Sequence, residues 1–430
     1  MKRATFATLG CKVNQVDSAY LEQAFAAAGY EIVAWPGPAE VCVINTCTVT
    51  ARAERSSRQM VNRARRNNPA ALVVVTGCSP VSGGGKADAY AQADLVTGNA
   101  EKPHLLSLIE NLNAARPQWQ VADVALSCAV EAGGAVLISD HVRSFLKVQE
   151  GCPAHCAYCI IPLVRGPSRS VPPDDVLAAA RELLAQGQKE IVLTGIHLGA
   201  YGQDLMPALD LAELCRRLLH ETALPRLRLS SLEPLEVTDD LLALMAADER
   251  FCPHLHIPLQ SGSDRILRAM RRPYDLGRYE AIVAACRARV PGITIGADVL
   301  VGFPGENADT FAETMATLRR LQFPHLHVFP YSDRPGTEAS RMPDKVPRAT
   351  VLDWAERVRD IGNEIRHEHL KNQMGSEEVV LIERIDEQGR AHGAGRNYLP
   401  VIIEQALPIG EETAVRIVGI TEGALRGEPR

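Results

Sequence analysis

Over the first 110 residues, short apolar runs rich in β-branched residues alternate with stretches of helical period. The runs are Ala4–Leu9, Val41–Ile44, Leu72–Thr76 and Asp94–Gly98, and the helical patterns are Val16–Ala28, Thr50–Arg66 and Glu101–Asn111. Strands that alternate with helices predict a parallel sheet with crossover helices, here a Rossmann-like domain over residues 1–112. Residues 113–140 lack a clear period, contain Pro117, Gly133 and Gly134, and read as a linker. The alternation resumes over 141–373, with strands expected at Arg143–Gln149, Glu190–Thr194, Arg226–Ser230, His254–Pro258, Thr294–Val301 and His325–Tyr331. Helical patterns follow most of them, at Pro173–Gln186, Leu211–Glu221, Ser263–Met270, Arg278–Arg289 and Asp309–Leu321. Six successive βα units predict a full or partial α/β barrel, whose chemistry belongs at the C-terminal strand ends. A long charged helix, Ala349–Asn372, closes that region. Residues 374–430 then change texture: the runs Glu377–Ile385, Tyr398–Glu404 and Thr413–Thr421, with glycines between, predict a small β-barrel.

Composition narrows the class. The 430 residues are 46% hydrophobic and 23% charged with a formal net charge of -6, which excludes a globally basic nucleic-acid binder but leaves local patches open. No apolar run is long enough for a membrane span, and the short segment after Met1-Lys2-Arg3 does not predict a secretory signal. The expectation is a cytoplasmic protein without membrane association. In a reducing compartment the eleven cysteines are expected to bind metal or do chemistry rather than pair.

The sharpest motif is Cys152-Pro-Ala-His-Cys156-Ala-Tyr-Cys159, just past the first barrel strand. Three thiolates on one loop hold three irons of a 4Fe–4S cube and leave the fourth iron open. A zinc site completed by His155 or a distant residue is the alternative, although no second cysteine arm exists. A second set is dispersed. Cys11, Cys47 and Cys78 each follow the carboxyl end of a first-domain strand, about one βαβ repeat apart. In an open parallel sheet those ends share one edge, where ligands bind; three packed thiols are the plain alternative. Cys42, Cys128, Cys215, Cys252 and Cys286 read as packed thiols.

Polar residues recur at the other strand ends of the barrel. They occur in Thr194-Gly195-Ile-His197, in Ser230-Ser231-Leu-Glu233-Pro234, in His254-Leu-His256 leading to Gln260-Ser261-Gly262, and from Asp298 to Gly302-Phe-Pro304-Gly305. Gly195 would let backbone approach a ligand. Each is as ordinary as a turn or a core histidine, but together they outline a pocket. Directly after Cys47, six arginines accompany one glutamate, and Arg52, Arg55, Arg58 and Arg66 form an approximate stripe on one helix. Such a stripe suits nucleic-acid phosphates or, equally, a solvated face.

Taken in order along the chain, these motifs resemble the radical S-adenosylmethionine methylthiotransferase family over essentially the whole length. The resemblance implies a radical S-adenosylmethionine barrel between the N-terminal domain and a TRAM-like β domain. It further implies two 4Fe–4S clusters, one on Cys152, Cys156 and Cys159 and an auxiliary one on Cys11, Cys47 and Cys78. Tyr158, Gly195, Ser231, Glu233 and Gln260 are the residues expected around S-adenosylmethionine. Arg52, Arg55, Arg58 and Arg66 are those expected to meet tRNA. The stretches Leu9–Asn14, Ile161–Ser170, Thr194–Gly202 and Gly395–Leu399 are most similar to the branch that methylthiolates C2 of N6-threonylcarbamoyladenosine at position 37 of tRNA. The isopentenyladenosine branch, the ribosomal-protein aspartate branch and a non-catalytic zinc or RNA-binding protein are the alternatives. A flavodoxin- or ferredoxin-like electron donor is implied, and the source of the inserted sulfur is left open. Residues 375–430 carry six arginines and no lysine against ten acidic residues, so RNA binding is expected to rely on the N-terminal arginines.

Overall fold

The computed structural model describes residues 1–82, 87–112, 117–124 and 142–430. The first domain is one parallel sheet, order β2-β1-β3-β4-β5-β6. Its strands are β1 (Arg3–Thr8), β2 (Glu31–Val33), β3 (Val41–Thr46), β4 (Leu72–Gly77), β5 (Leu95–Thr97) and β6 (Gln118–Gln120). β3 is buried at every position and β4 at all but its first, because helices cover both faces, which is why the two read as unbroken apolar runs. The two edge strands escape the sequence pattern. β2 is short and starts on an exposed glutamate, and β6 is a half-buried Gln-Trp-Gln inside the stretch read as a linker. Residues 113–116 and 125–140 of that stretch, including Cys128, Gly133 and Gly134, lie outside the described residues.

The central domain carries β7 (Arg143–Lys147), a short antiparallel pair β8 (Gln149–Glu150) and β9 (Arg169–Ser170), and then β10 (Glu190–Thr194) and β11 (Arg226–Leu229). It continues with β12 (His254–His256), β13 (Thr294–Val301) and β14 (His325–Pro330). The parallel sheets β11-β10-β7 and β12-β13-β14 join through parallel bridges from Leu227 to Phe251 and Ser231 to His256. The result is a six-stranded partial barrel whose edge strands are β7 and β14. Alternation sends Ile191, Leu193, Leu227, Leu229, Ala297 and Val299 outward into the helical layer. It sends Glu190, Arg226, Arg228, His254, His256, Asp298, His325 and His327 inward, so the interior is unusually polar. The helix Asp239–Ala247, between β11 and β12, was not foreseen; its apolar residues are clustered without a strong helical period.

The first domain spans the gap between the two edges. Helix Lys12–Ala27 lies along β7, where Lys147 Nζ meets Asp17 Oδ1 at 2.6 Å. Past β14, Ser332 Oγ accepts from Ala51 N at 2.9 Å and Arg334 donates to Thr48 Oγ1 at 2.7 Å and to Glu54. Edge strands covered this way offer no free pairing surface.

The last domain is a closed five-stranded barrel, order β15-β16-β17-β19-β18. Its strands are β15 (Glu377–Ile385), β16 (Ala391–Gly395), β17 (Pro400–Ile403), β18 (Glu412–Thr421) and β19 (Ala424–Pro429), around Val380, Ile382, Val401, Ile403, Val415, Ile417 and Leu425. Its β16–β17 turn plugs the bottom of the partial barrel. Tyr398, at φ 71°, places its ring 4.8 Å from the Arg228 guanidinium, 5.2 Å from that of Arg143 and 4.5 Å from the His254 ring. Arg226 and Arg228 each reach Glu190 at 2.7 Å, and their remaining N–H groups donate to the carbonyls of Val379, Ala394 and Arg396 across the junction.

Glu190 is fully buried and holds those two cations in place. Burial pushes its carboxyl up, but Arg228 and Arg226 outweigh that and hold it at about 2, below its ordinary 4.5. Its contribution to stability is therefore complete above about pH 4.5 and lost as pH falls toward 2. Glu190→Gln leaves buried Arg228 without a carboxylate and Arg226 with Glu412 alone, at 3.0 Å, and is expected to cost about 3–5 kcal/mol at neutral pH in urea denaturation. The gap to wild type should close between about pH 4.5 and 2; a constant gap across that range would show that charge is not what Glu190 contributes.

Candidate metal centres at the barrel mouth

Cys47 follows β3 directly, Cys78 follows β4 directly, and Cys11 stands three residues past β1, so neighbouring strands deliver all three thiols to one sheet edge. Cys11 is the N-cap residue of helix Lys12–Ala27, and burial raises its thiol above the ordinary value against the pull of the Arg165 charge. Approach between the loops is close: a Cβ at Gly10, which sits at φ 97°, would fall 2.8 Å from both Cβ and Sγ of Cys47. The Cys47 and Cys11 sulfurs each feel the charge of Cys78 and of Arg165. Burial pushes Cys47 up to about 11, so a bound metal has to draw its proton off. Cys78, 3% exposed, accepts hydrogen bonds from Arg165 Nε at 3.3 Å and Asn99 Nδ2 at 3.4 Å. Three converging thiols, one of them bonded to a cation, are the kind of donor set that a 4Fe–4S cube with one open iron takes.

The second trio lies on the loop after β8. Gly151, at φ 74°, turns the chain where any Cβ would collide with the Pro167 carbonyl oxygen. Cys152 N then donates to Gly166 O, Ala157 N to Met270 O and Cys159 N to Cys156 O, each at 3.0 Å. Each of the first two sulfurs has a cationic or imidazole partner. Arg272 Nη1 donates to Cys156 Sγ at 3.1 Å, and its Nη2 meets Glu233. His197 Nδ1 lies 3.2 Å from Cys152 Sγ, with Nε2 on Glu236. Burial pulls the His197 imidazole down, but the hydrogen bonds to Cys152 and Glu236, with their charges, raise it to about 10. Burial drives Cys159 up to about 12.

One ion network joins the two trios. Arg165, 1% exposed, donates to both Glu150 oxygens at 2.9 Å and to Asn14 Oδ1, lies 3.5 Å from Asp17 and reaches Cys78. Asp17 also takes Lys102 and Lys147, each at 2.6 Å, and Lys147 lies 3.6 Å from Glu150. These cations hold the Asp17 carboxyl far below the usual carboxylate range against the effect of burial.

The other expected residues fall as follows. Tyr158 packs its ring edge-on to Phe303 at 6.5 Å in the apolar cluster behind the loop. Gly195 owes its missing side chain to Gln149 rather than to an open approach: a Cβ there would sit 2.8 Å from Gln149 Oε1, which accepts from His197 N. Ser231 is exposed past β11, Glu233 is engaged by Arg272, and Gln260, at φ 65°, is pinned between Asp298 O and Leu300 N. On helix Ala51–Asn67, Arg52, Arg55 and Arg66 are exposed. Arg58 is turned aside into a 2.9 Å pair with Glu54, and the exposed Arg63 takes the place on that face. Cys42, Cys215, Cys252 and Cys286 are buried singly. Sequence reasoning missed Arg165, Arg272 and Glu236, and gave His197 no role of its own. Among the described residues, His256, Asp298 and His327 have metal-ligand make-up, yet the two rings stack at 5.0 Å and 27°. Both imidazoles lie on the same carboxylate oxygen, Asp298 Oδ1, at 2.8 and 3.3 Å.

Residues 146–318 match the family model described as the Radical SAM superfamily, residues 3–98 that of Uncharacterized protein family UPF0004, and residues 371–429 the TRAM domain. The Threonylcarbamoyladenosine tRNA methylthiotransferase MtaB of Aquifex aeolicus (strain VF5) is 38% identical over 88% of this chain and 92% of that protein. Its namesake in Bacillus subtilis (strain 168) is 36% identical over 94% and 91%. A tRNA-2-methylthio-N(6)-dimethylallyladenosine synthase of Syntrophobacter fumaroxidans (strain DSM 10017 / MPOB) is 32% identical over 98% and 94%. In fold, the chain is similar to the radical S-adenosylmethionine methyltransferase TsrM from Kitasatospora setae, with a TM-score of 0.56, 16% identity, and 76% of this chain and 73% of that one covered.

Arg165→Met keeps the length of the side chain and removes its charge and donors. The N-terminal trio should bind iron about ten- to a hundredfold more weakly, read as iron and sulfide retained after anaerobic reconstitution and desalting. Retention equal to wild type would mean that the Arg165–Cys78 bond does nothing for the metal.

Proposed function

The chain belongs to the radical S-adenosylmethionine methylthiotransferase family, and from that premise we propose that it converts N6-threonylcarbamoyladenosine at position 37 of tRNA to its 2-methylthio derivative. The observation that carries this reading is the pair of cysteine trios tied to one buried arginine: Arg165 is bonded to Cys78 of the first and to Glu150, which stands two residues before Cys152 of the second. Two 4Fe–4S clusters and S-adenosylmethionine, when bound, supply the one-electron chemistry and the sulfur transfer, which is the part that cofactors rather than side chains perform.

The chain's own residues bind and orient. Cys152, Cys156 and Cys159 hold one cluster with an iron left for S-adenosylmethionine, while His197 and Arg272 fix two of those sulfurs by charge-assisted hydrogen bonds. Tyr158, Gly195, Ser231, Glu233 and Gln260 surround the cofactor, Tyr158 by bracing the loop and Glu233 by orienting Arg272. Cys11, Cys47 and Cys78 hold the auxiliary cluster, whose sulfurs Arg165 and Asn99 steady at Cys78. Arg52, Arg55 and Arg66, joined by Arg63, present one cationic helix face to tRNA phosphates, with Arg58 flanking it. Electrons come from a flavodoxin- or ferredoxin-type donor. Among the described residues no helix is long and apolar enough to cross a membrane, in keeping with an enzyme that meets its tRNA in the cytoplasm.

The test replaces Cys11, Cys47 and Cys78 together by alanine. Anaerobically reconstituted wild type should carry about eight irons and yield 2-methylthio-N6-threonylcarbamoyladenosine by nucleoside mass spectrometry. The triple variant should carry about four, still cleave S-adenosylmethionine to 5′-deoxyadenosine, and form no methylthio product. Product from the triple variant, or activity of wild type on a ribosomal protein in place of tRNA, would overturn the reading.

A further inference from the structure

Among the described residues, the polar barrel interior holds one cation without a matching carboxylate. Arg226 and Arg228 share Glu190 at 2.7 Å, Arg143 meets Glu383 at 3.0 Å, and Lys147 meets Asp17 at 2.6 Å. Lys12 differs. It leaves the first domain immediately after Cys11 and crosses onto the inner face of the edge strand β7, its ammonium 5.4 Å from the centroid of Phe145. Its charge reaches Tyr398, Arg143, Arg228 and Glu190, and His254 feels it as well. The side chain is half-buried, and among the described residues no carboxylate lies within ion-pair distance of it. A half-buried ammonium facing arginines and lacking a counter-charge is costly to maintain unless something anionic joins it.

We propose that Lys12 is a specificity-determining residue that binds the carboxylate of the substrate's N6 substituent as it enters the barrel. This rests on the function proposed above. A threonylcarbamoyl group ends in a carboxylate, whereas a dimethylallyl group is a neutral hydrocarbon. Lys12 follows Cys11 of the N-terminal trio in the chain, and its side chain carries the ammonium from there into the barrel interior, over Phe145 and toward Tyr398. C2 and C6 flank N1 on one edge of adenine, so a substituent on N6 extends past the reacting carbon toward the interior. A lone ammonium on a flexible stem, beside the face of Phe145, suits a carboxylate and repels nothing that a neutral group would need.

The experiment is a double-mutant cycle with one mutation in the substrate. Anticodon stem-loops carrying N6-threonylcarbamoyladenosine are prepared as the free acid and as the methyl ester, and kcat/KM for methylthiolation is measured with wild type, Lys12→Met and Lys12→Arg. Esterification should cost wild type about tenfold to a hundredfold, cost Lys12→Arg a similar factor, and cost Lys12→Met little. Iron content shows whether both trios are loaded in each protein. Where Lys12→Met turns over too slowly, the acid-to-ester ratio of equilibrium affinities from fluorescence anisotropy replaces the kinetic one. An ester penalty as large in Lys12→Met as in wild type would overturn the proposal. Wild type inactive on the free acid would instead overturn the function on which it rests.

Discussion

Three cations and two carboxylates buried at one junction organise the molecule. Asp17 and Lys102 belong to the first domain, Lys147, Glu150 and Arg165 to the second, and every carboxylate is bonded across the boundary or to a residue that is. Burying five charges is unfavourable unless each is matched. Within the five, one positive charge is left over, and Arg165, the residue with the most partners, spends its remaining donors on Cys78 Sγ and Asn14. The surplus charge is thus directed at one sulfur, and the residues that dock the two domains also hold Cys78. Glu150 carries the same coupling to the other trio, because the next two residues are Gly151 and Cys152.

A partial barrel has three openings, and the rest of the architecture is how two of them are shut. The side gap between β7 and β14 is spanned by the first domain, anchored by Asp17 on one edge and by Thr48, Glu54 and Ala51 on the other. The bottom is filled by the turn carrying Tyr398, which arginines grip from inside. The cysteines lie at the third, the mouth. The TRAM domain is thus a structural part of the catalytic barrel, whatever its outer surface contacts.

The sequence was most informative where chemistry is local or periodic. The loop from Cys152 to Cys159 declares itself by spacing, and Cys11, Cys47 and Cys78 by following strands that are buried on both faces and so unmistakably apolar. The short strands β2, β6, β16 and β19 were not legible, since edge positions and glycine-rich barrel strands lack a sustained alternation. The site residues that escaped share a different property. Arg165 meets Cys78 across 87 positions and Arg272 meets Cys156 across 116, so no spacing rule connects them. In the sequence each is one arginine among many; burial alone distinguishes it, and burial is a tertiary fact. The helix face shows a nearer effect: Glu54 one turn earlier pairs with Arg58, a local contact that the stripe did not take into account.

Glu54 also shows how the surface and the site are joined. Its carboxylate holds Arg58 on one side and Arg334, buried past β14, on the other, while Thr50 caps the same helix by accepting from Ala53 N. The arginine face therefore stands on a helix whose first turn is fixed to the loop leaving the barrel's edge strand and begins four residues past Cys47. A polyanion drawn to that face meets it on a rigid mount beside the mouth, not on a mobile arm. Its long-range attraction has little competition from the last domain, where ten acidic residues outnumber six arginines. Phosphate contact carries no base information, so selectivity has to come from inside the barrel, where the walls are polar and the charges, with one exception, already matched.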